Sequence, residues 1–432
     1  MHPNIWKPFT ILKDAPEPLK VIRGNGLWVT LEDGRRIMDC ISSWWVNLHG
    51  HCHPYIVNAI HEQARELEHI IFANFSHQPA ERFAERLAAR LPGQLNRIFY
   101  SDNGSTSIEV ALKVACQYWH NTGRSRKRFI AFEGAYHGDT LGAMSAGSRS
   151  VFTRVYDDFM FEVDYLSYPE TWIGDKTVED RENDILDQLE KKLKGDPGSV
   201  AGIIIEPLVQ GVAGMRMCRE EFLQKLHRIC RQYETLLIFD EVMTGFGRTG
   251  AWFAAERSGT EPDIICLAKG ITGGFLPLAV TVCSDRIYEA FNTSDPVGTL
   301  WHGHSYTANP LGCAAALASL DLMEKNEPAF TGMEKIHLEE LSKIAEMDFV
   351  ERARVKGSIA AFNLQSEDES GYLNDIGNRI KESCVDFGLL IRPLGNVVYL
   401  MPPYCITRRE LGTAYRQLGA LLQDIYSDQE TG

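Results

Sequence analysis

The chain has 432 residues, enough for two or three domains around a sizeable core, which excludes a small stapled module. Its 44 Lys and Arg face 58 Asp and Glu, a formal charge of −14 without a basic stripe, which argues against nucleic acid as a partner. Hydrophobic residues at 44% and charged residues at 24% lie near globular averages and exclude general disorder.

The N-terminal stretch Met1-His2-Pro3-Asn4-Ile5-Trp6-Lys7-Pro8 lacks a charged segment followed by an apolar one, and no apolar run approaches the roughly 18 residues of a membrane span. Residues 17 to 40 carry turn signals, Gly24-Asn25-Gly26 and Asp33-Gly34, between β-rich runs such as LWVTL, which predicts a small antiparallel sheet. In the middle, Arg128–Phe132, Ala201–Pro207, Leu236–Glu241, Ile264–Lys269 and Pro277–Cys283 read as strands, and their continuous apolar runs suit strands buried on both faces. Between them, Glu220–Glu234 sets Phe222, Leu223, Leu226, Ile229 and Cys230 on one helical face. This alternation predicts an α/β fold with a mainly parallel sheet flanked by helices. From about Ala314 the chain turns helical and charged, then mixes short strands and helices. The expected division is a large α/β domain over 47–318 and a small α+β domain built from 1–46 and 319–432. The ten cysteines are scattered with no CxxC pair, which reads as free thiols in a reducing compartment and a cytoplasmic protein.

Ligands of α/β folds sit at the carboxyl ends of parallel strands, and three places there carry chemistry. Gly104 and Ser105, in Tyr100-Ser-Asp-Asn-Gly-Ser105, open a helical pattern whose free N–H groups suit a phosphate, although ordinary helix capping gives the same pattern. Asp240 ends a buried apolar run, where a carboxylate is costly unless a cation meets it; taken singly it reads as a salt bridge or cap. Lys269 closes Ile264–Ala268 before Gly270, where an amine among apolar neighbours has the depressed pKa of a Schiff-base nucleophile; taken singly it reads as a snorkelling lysine. Together, phosphate cradle, acid and lysine match what pyridoxal 5'-phosphate (PLP) needs, with Tyr136 after another strand offering a face for the ring.

Other patterns carry less. Gly245-Phe-Gly247-Arg-Thr-Gly250 matches GxGxxG but lacks the following strand-end acid of a dinucleotide site. No GxxxxGK[ST] or GxSxG occurs. His49-Gly-His51-Cys-His53 reads as a turn with hydrogen-bonded histidines, so no metal site is expected.

Over nearly its whole length the chain resembles the fold-type I, class III aminotransferases. The resemblance rests on LLIFDEVMTGFGRTG around Asp240, AKGITGG around Lys269 and EGAYHGDT around Tyr136. Further matches are Ile5-Trp6-Lys-Pro-Phe9-Thr10, Ser42-Ser-Trp44-Trp45, Gln117-Tyr-Trp119, Ile391-Arg392-Pro-Leu-Gly395 and Tyr399-Leu-Met-Pro-Pro-Tyr404. The resemblance implies that Lys269 links to PLP and then shuttles the proton, Asp240 pairs with the pyridinium nitrogen, Gly104 and Ser105 hold the phosphate, and Tyr136 stacks on the ring. It implies a homodimer in which Gly303, His304 and Ser305 reach the other subunit's cofactor phosphate. Phe9, Trp44, Trp45, Tyr136, Tyr399 and Arg392 would bind substrate, with Arg392 gripping a carboxylate; a surface or interdomain ion pair is the plainer reading of that arginine. The branch that this pattern is most similar to aminates 8-amino-7-oxononanoate with S-adenosylmethionine as donor. Phe9, GITGGFLP and GHSYT instead resemble members that use lysine, and Phe9, His304 and Ser305 stand where the family often has tyrosine, proline and threonine.

Overall fold

The computed structural model describes residues 2, 4–13, 15–365 and 374–430. Three of its strands, Val200–Ile205, Leu236–Asp240 and Ile264–Leu267, are buried at every position. They occupy the interior of a seven-stranded sheet ordered Leu95–Ser101, Ala279–Ser284, Ile264–Leu267, Leu236–Asp240, Val200–Ile205, Arg128–Phe132, Val163–Leu166. Four adjacent pairs are parallel, and Ala279–Ser284 alone runs antiparallel to both its neighbours. Helices cover both faces, among them Gly104–Asn121, Val178–Gly195 and Glu220–Gln232, so the architecture is the α/β fold expected from the strand pattern.

Two details differ from the sequence reading. Pro277–Cys283 is a strand only from Ala279 onward, and it is antiparallel because the link from Leu267 holds one short 3₁₀ turn rather than a crossover helix. Leu95–Ser101 and Val163–Leu166 carry no strand signal, because both are edge strands with Asn96, Arg97 and Asp164 breaking the apolar run.

The chain's ends pack together. Val21–Asn25, Trp28–Leu31 and Arg36–Asp39 form an antiparallel meander, extended by Leu389–Leu390 parallel to the last of them. Leu27, Val29, Ile37 and Met38 share one buried cluster with Phe362, Ile380, Leu418 and Leu422. Among the described residues no helix is long and apolar enough to cross a membrane.

Candidate active site

The carboxyl ends of the parallel strands converge on a cavity of about 450 Å³. Asp240, Glu206 after Ile205 and Lys269 after Ile264–Ala268 each follow directly on an apolar run, and Tyr136 and His137 come from the loop that leaves the strand at Phe132. The cavity therefore lies where open α/β sheets bind ligands.

Its acid is held in place. Asp240 is buried, its Oδ2 lies 2.7 Å from Nδ1 of the buried His137, and its Oδ1 accepts the N–H of Val242 at 3.1 Å. That pairing puts a proton on Nδ1 whenever the carboxylate is ionised. The buried Glu206 accepts the N–H of Tyr136 at 3.1 Å and of Gly211 at 2.8 Å, and burial pushes its carboxyl up to about 7.

Lys269 is partly buried and lines the cavity, with Nζ 5.2 Å from the centroid of the Trp45 ring. Burial lowers its amine pKa, opposed by the nearby charges of Asp240 and Glu206. Its φ of +44° is in the left-handed region that a β-carbon disfavours, and it opens the 3₁₀ turn Lys269–Thr272.

One end of the cavity is formed by the start of the helix Gly104–Asn121. Asn103 caps this helix by accepting the Thr106 N–H while Thr106 Oγ1 accepts the Asn103 N–H, and Gly104 and Ser105 line the cavity. A β-carbon on Gly104 would lie 2.7 Å from Val242 Cγ1, and one on Gly138 would lie 2.0 Å from Ser105 Oγ. Ser105 Oγ also accepts the Asp139 N–H at 3.1 Å, and the Tyr136 hydroxyl donates to Asp139 at 2.9 Å. A cradle that only glycine leaves open, an amine and a buried carboxylate around one cavity fit PLP.

The remaining predicted residues fall into three groups. Trp45 lines the cavity, buried, and its Nε1–H donates to the Tyr399 hydroxyl at 3.0 Å. Phe9, Trp44 and Arg392 form a separate stack, with the guanidinium carbon 4.9 Å from the Trp44 ring and Phe9 edge-on to it at 5.5 Å. Gly303, His304 and Ser305 stay off this cavity's wall, on a stretch that also exposes Trp301 and Tyr306.

The two tryptophans part because Ser42, Ser43, Trp44 and Trp45 all have positive φ, an arrangement that costs about 1 kcal/mol or more per residue. Asp39 offsets this by accepting the N–H groups of Ile41 and Ser43 and the Ser43 hydroxyl, while the Ser42 hydroxyl donates to the Met401 carbonyl.

The pattern Gly245–Gly250 serves packing. Its Arg248 is buried and donates to the carbonyls of Trp45, Asn47 and Pro402, tying the cavity wall to the C-terminal segment. The three histidines also go to separate partners: His49 to the Ser319 hydroxyl, His51 to Asp39, and His53 to the Tyr55 N–H it caps. His137 and Glu206 are cavity residues to which sequence reasoning gave no role. Glu206 carried the same signal as Asp240, an acid after a fully apolar run.

Residues 12–422 match the class-III aminotransferase family. The chain is 56% identical over 98% of its length to an adenosylmethionine-8-amino-7-oxononanoate aminotransferase of Synechococcus elongatus, covering 99% of that protein. It is 40% identical to one of Geobacter sulfurreducens, covering 94% of this chain and 93% of the relative. The crystal structure of an enzyme of that name from Methanocaldococcus jannaschii superimposes with a TM-score of 0.90 at 32% identity, covering 98% of this chain and 97% of the other. A PLP-bound amine transaminase from an uncultivated Pseudomonas species gives 0.90 at 32% identity, covering 97% and 98%. A cavity that fits PLP and a match along almost the entire chain lead to one assignment: it belongs to the class-III aminotransferases, enzymes that work with pyridoxal 5'-phosphate.

Proposed function

We propose that this chain aminates the ketone of 8-amino-7-oxononanoate to give 7,8-diaminononanoate in biotin biosynthesis, with S-adenosylmethionine as amino donor. The observation that carries this reading is the end-to-end identity of 56% to a relative whose name joins these two substrates.

PLP, when bound, supplies an aldehyde that condenses with amines and a pyridine ring that accepts the electron pair released at the substrate carbon. The protein's own residues do the rest. Asp240 holds the proton on the ring nitrogen, and His137 fixes the carboxylate through its 2.7 Å contact. Gly104 and Ser105 bind the phosphate at the positive end of their helix. Tyr136 packs against the ring. Burial lowers the pKa of the Lys269 amine, and Nζ takes the proton from the substrate's amine-bearing carbon.

Donor and acceptor use one cavity in turn, the amino group leaving the donor in the first half-reaction and reaching the ketone in the second. Trp45 gives the aliphatic chain an apolar wall. Arg392, its plane set by Trp44, against which Phe9 packs, grips the terminal carboxylate, with Tyr399 steadying Trp45. Gly303, His304 and Ser305 complete the phosphate site of a second copy, making the working unit a homodimer, and the stretch's exposed Trp301 and Tyr306 supply apolar surface for that contact.

The test is purified holoenzyme with 8-amino-7-oxononanoate, offered S-adenosylmethionine or lysine separately. Diaminononanoate formed with S-adenosylmethionine supports the proposal, product with lysine alone replaces the donor, and no product with either overturns the acceptor.

A further inference from the structure

A second cavity, of about 230 Å³, lies between the loop Gly211–Arg216 and the C-terminal segments around Arg352, Arg354 and Asn396. Among the described residues its wall holds three guanidinium groups, Arg216, Arg352 and Arg354, against a single carboxylate, Glu170. Glu170 is shared, 3.2 Å from Arg352 and 3.6 Å from Arg216. Arg354 is buried and spends its donors on neutral acceptors: the carbonyls of Met215, Gly214 and Arg352 and the amide oxygen of Asn363. The cavity thus carries a formal surplus of two positive charges, with Arg354 buried at its base and Arg216 and Arg352 at its half-exposed rim.

The backbone is shaped to assemble this group. The strand Val350–Lys356 breaks its pairing register with Ile359–Leu364 between Glu351 and Arg354, and Arg352 there has a φ of +49°. Such a bulge re-aims side chains, and strain at a non-glycine residue needs surroundings that hold it. In the facing loop, the buried Met215 has a φ of +51° and presents its carbonyl to Arg354. Arg352 also lies 4.6 Å from the Trp172 ring centroid, which orients its guanidinium at the rim.

The geometry points to a binding site here for one small divalent oxyanion, phosphate or a short dicarboxylate, held by Arg216 and Arg352 above the fixed charge of Arg354. Two negative charges match the surplus of two, and planar guanidinium groups suit oxyanions of either kind. The site is separate from the cofactor cavity but shares a loop with it. Gly211 donates its N–H to Glu206, and a β-carbon on Gly211 would lie 3.2 Å from the Trp45 ring. An anion on the far side of that loop therefore braces the Trp45 wall.

The experiment uses PLP-saturated holoenzyme, whose cofactor phosphate site is already filled. Calorimetric titrations with inorganic phosphate and with malonate run at constant ionic strength set by chloride. One saturable site per chain is expected for at least one probe, and which probe binds names the source. The Arg216→Gln/Arg352→Gln pair should weaken binding about tenfold or more while turnover without the anion persists. Absence of saturable binding by either probe, or unchanged affinity in the double variant, overturns the site.

Discussion

His137 and Asp240, 103 residues apart in sequence, meet at 2.7 Å beneath the cofactor cavity, both buried. The contact makes the acid's orientation depend on a residue from a different strand end. Asp240→Asn keeps the shape and removes the charge, and turnover should fall about a hundredfold or more, as for other lost electrostatic contacts at a reacting site. His137→Phe should cost about tenfold and also shift the bound cofactor's absorption band, which a purely structural lesion would not do. Steady-state kinetics and absorbance spectra of both variants check this.

Gly138 has a φ of +129°, and a methyl group there would collide with Ser105. Gly138→Ala should therefore weaken PLP retention, read by equilibrium dialysis. Gly174→Ala, which also replaces a glycine of positive φ but has nothing within 4 Å of the added carbon, controls for backbone strain.

Arg248 has neutral carbonyl partners at both ends of the chain's fold. Arg248→Ala leaves those buried acceptors unpaired, and we expect a loss of about 3 kcal/mol or more, measured as a lower midpoint in denaturant.

Two buried histidines make the fold acid-sensitive. Burial pushes the His49 imidazole down to about 3 and that of His337 to about 4. Their folded pKa values lie below the ordinary value of about 6.5, so the unfolded chain binds more protons between these limits. Stability from both groups is complete above about pH 6.5 and falls as pH drops, by about 1.4 kcal/mol per group for each pH unit. Thermal melts from pH 7.5 to 5.5 should show this slope, and His49→Asn with His337→Gln should flatten it.

The proposed sharing of sites between two copies is tested in mixtures. A Lys269→Ala chain and a Ser305→Glu chain, each inactive alone, form hybrid dimers with one intact site if residues 303–305 serve the other copy. Denaturing and refolding an equal mixture should return about a quarter of normal activity. No recovery would assign Ser305 to its own chain's site.

Much of the site was legible because strand ends advertise themselves. Asp240 and Lys269 stand out as charges directly after apolar runs, and Gly104 and Ser105 as a helix start. His137 was visible only as part of a motif, since nothing local shows that its ring reaches Asp240. Glu206 had the same signal as Asp240 but no proposed partner to give it a role. The separation of Trp44 from Trp45 was hidden as well, because it depends on Asp39 and Met401 stabilising a left-handed turn. The edge strands escaped because half-exposed strands lack the continuous apolar runs that mark the sheet's interior.

Reduction of the holoenzyme with borohydride followed by peptide mass mapping tests most directly whether Lys269 holds the cofactor. The predicted result is one pyridoxyl-phosphate adduct per chain, on Lys269, and none in Lys269→Ala. An adduct on another lysine, or full incorporation in the Lys269→Ala chain, would contradict it.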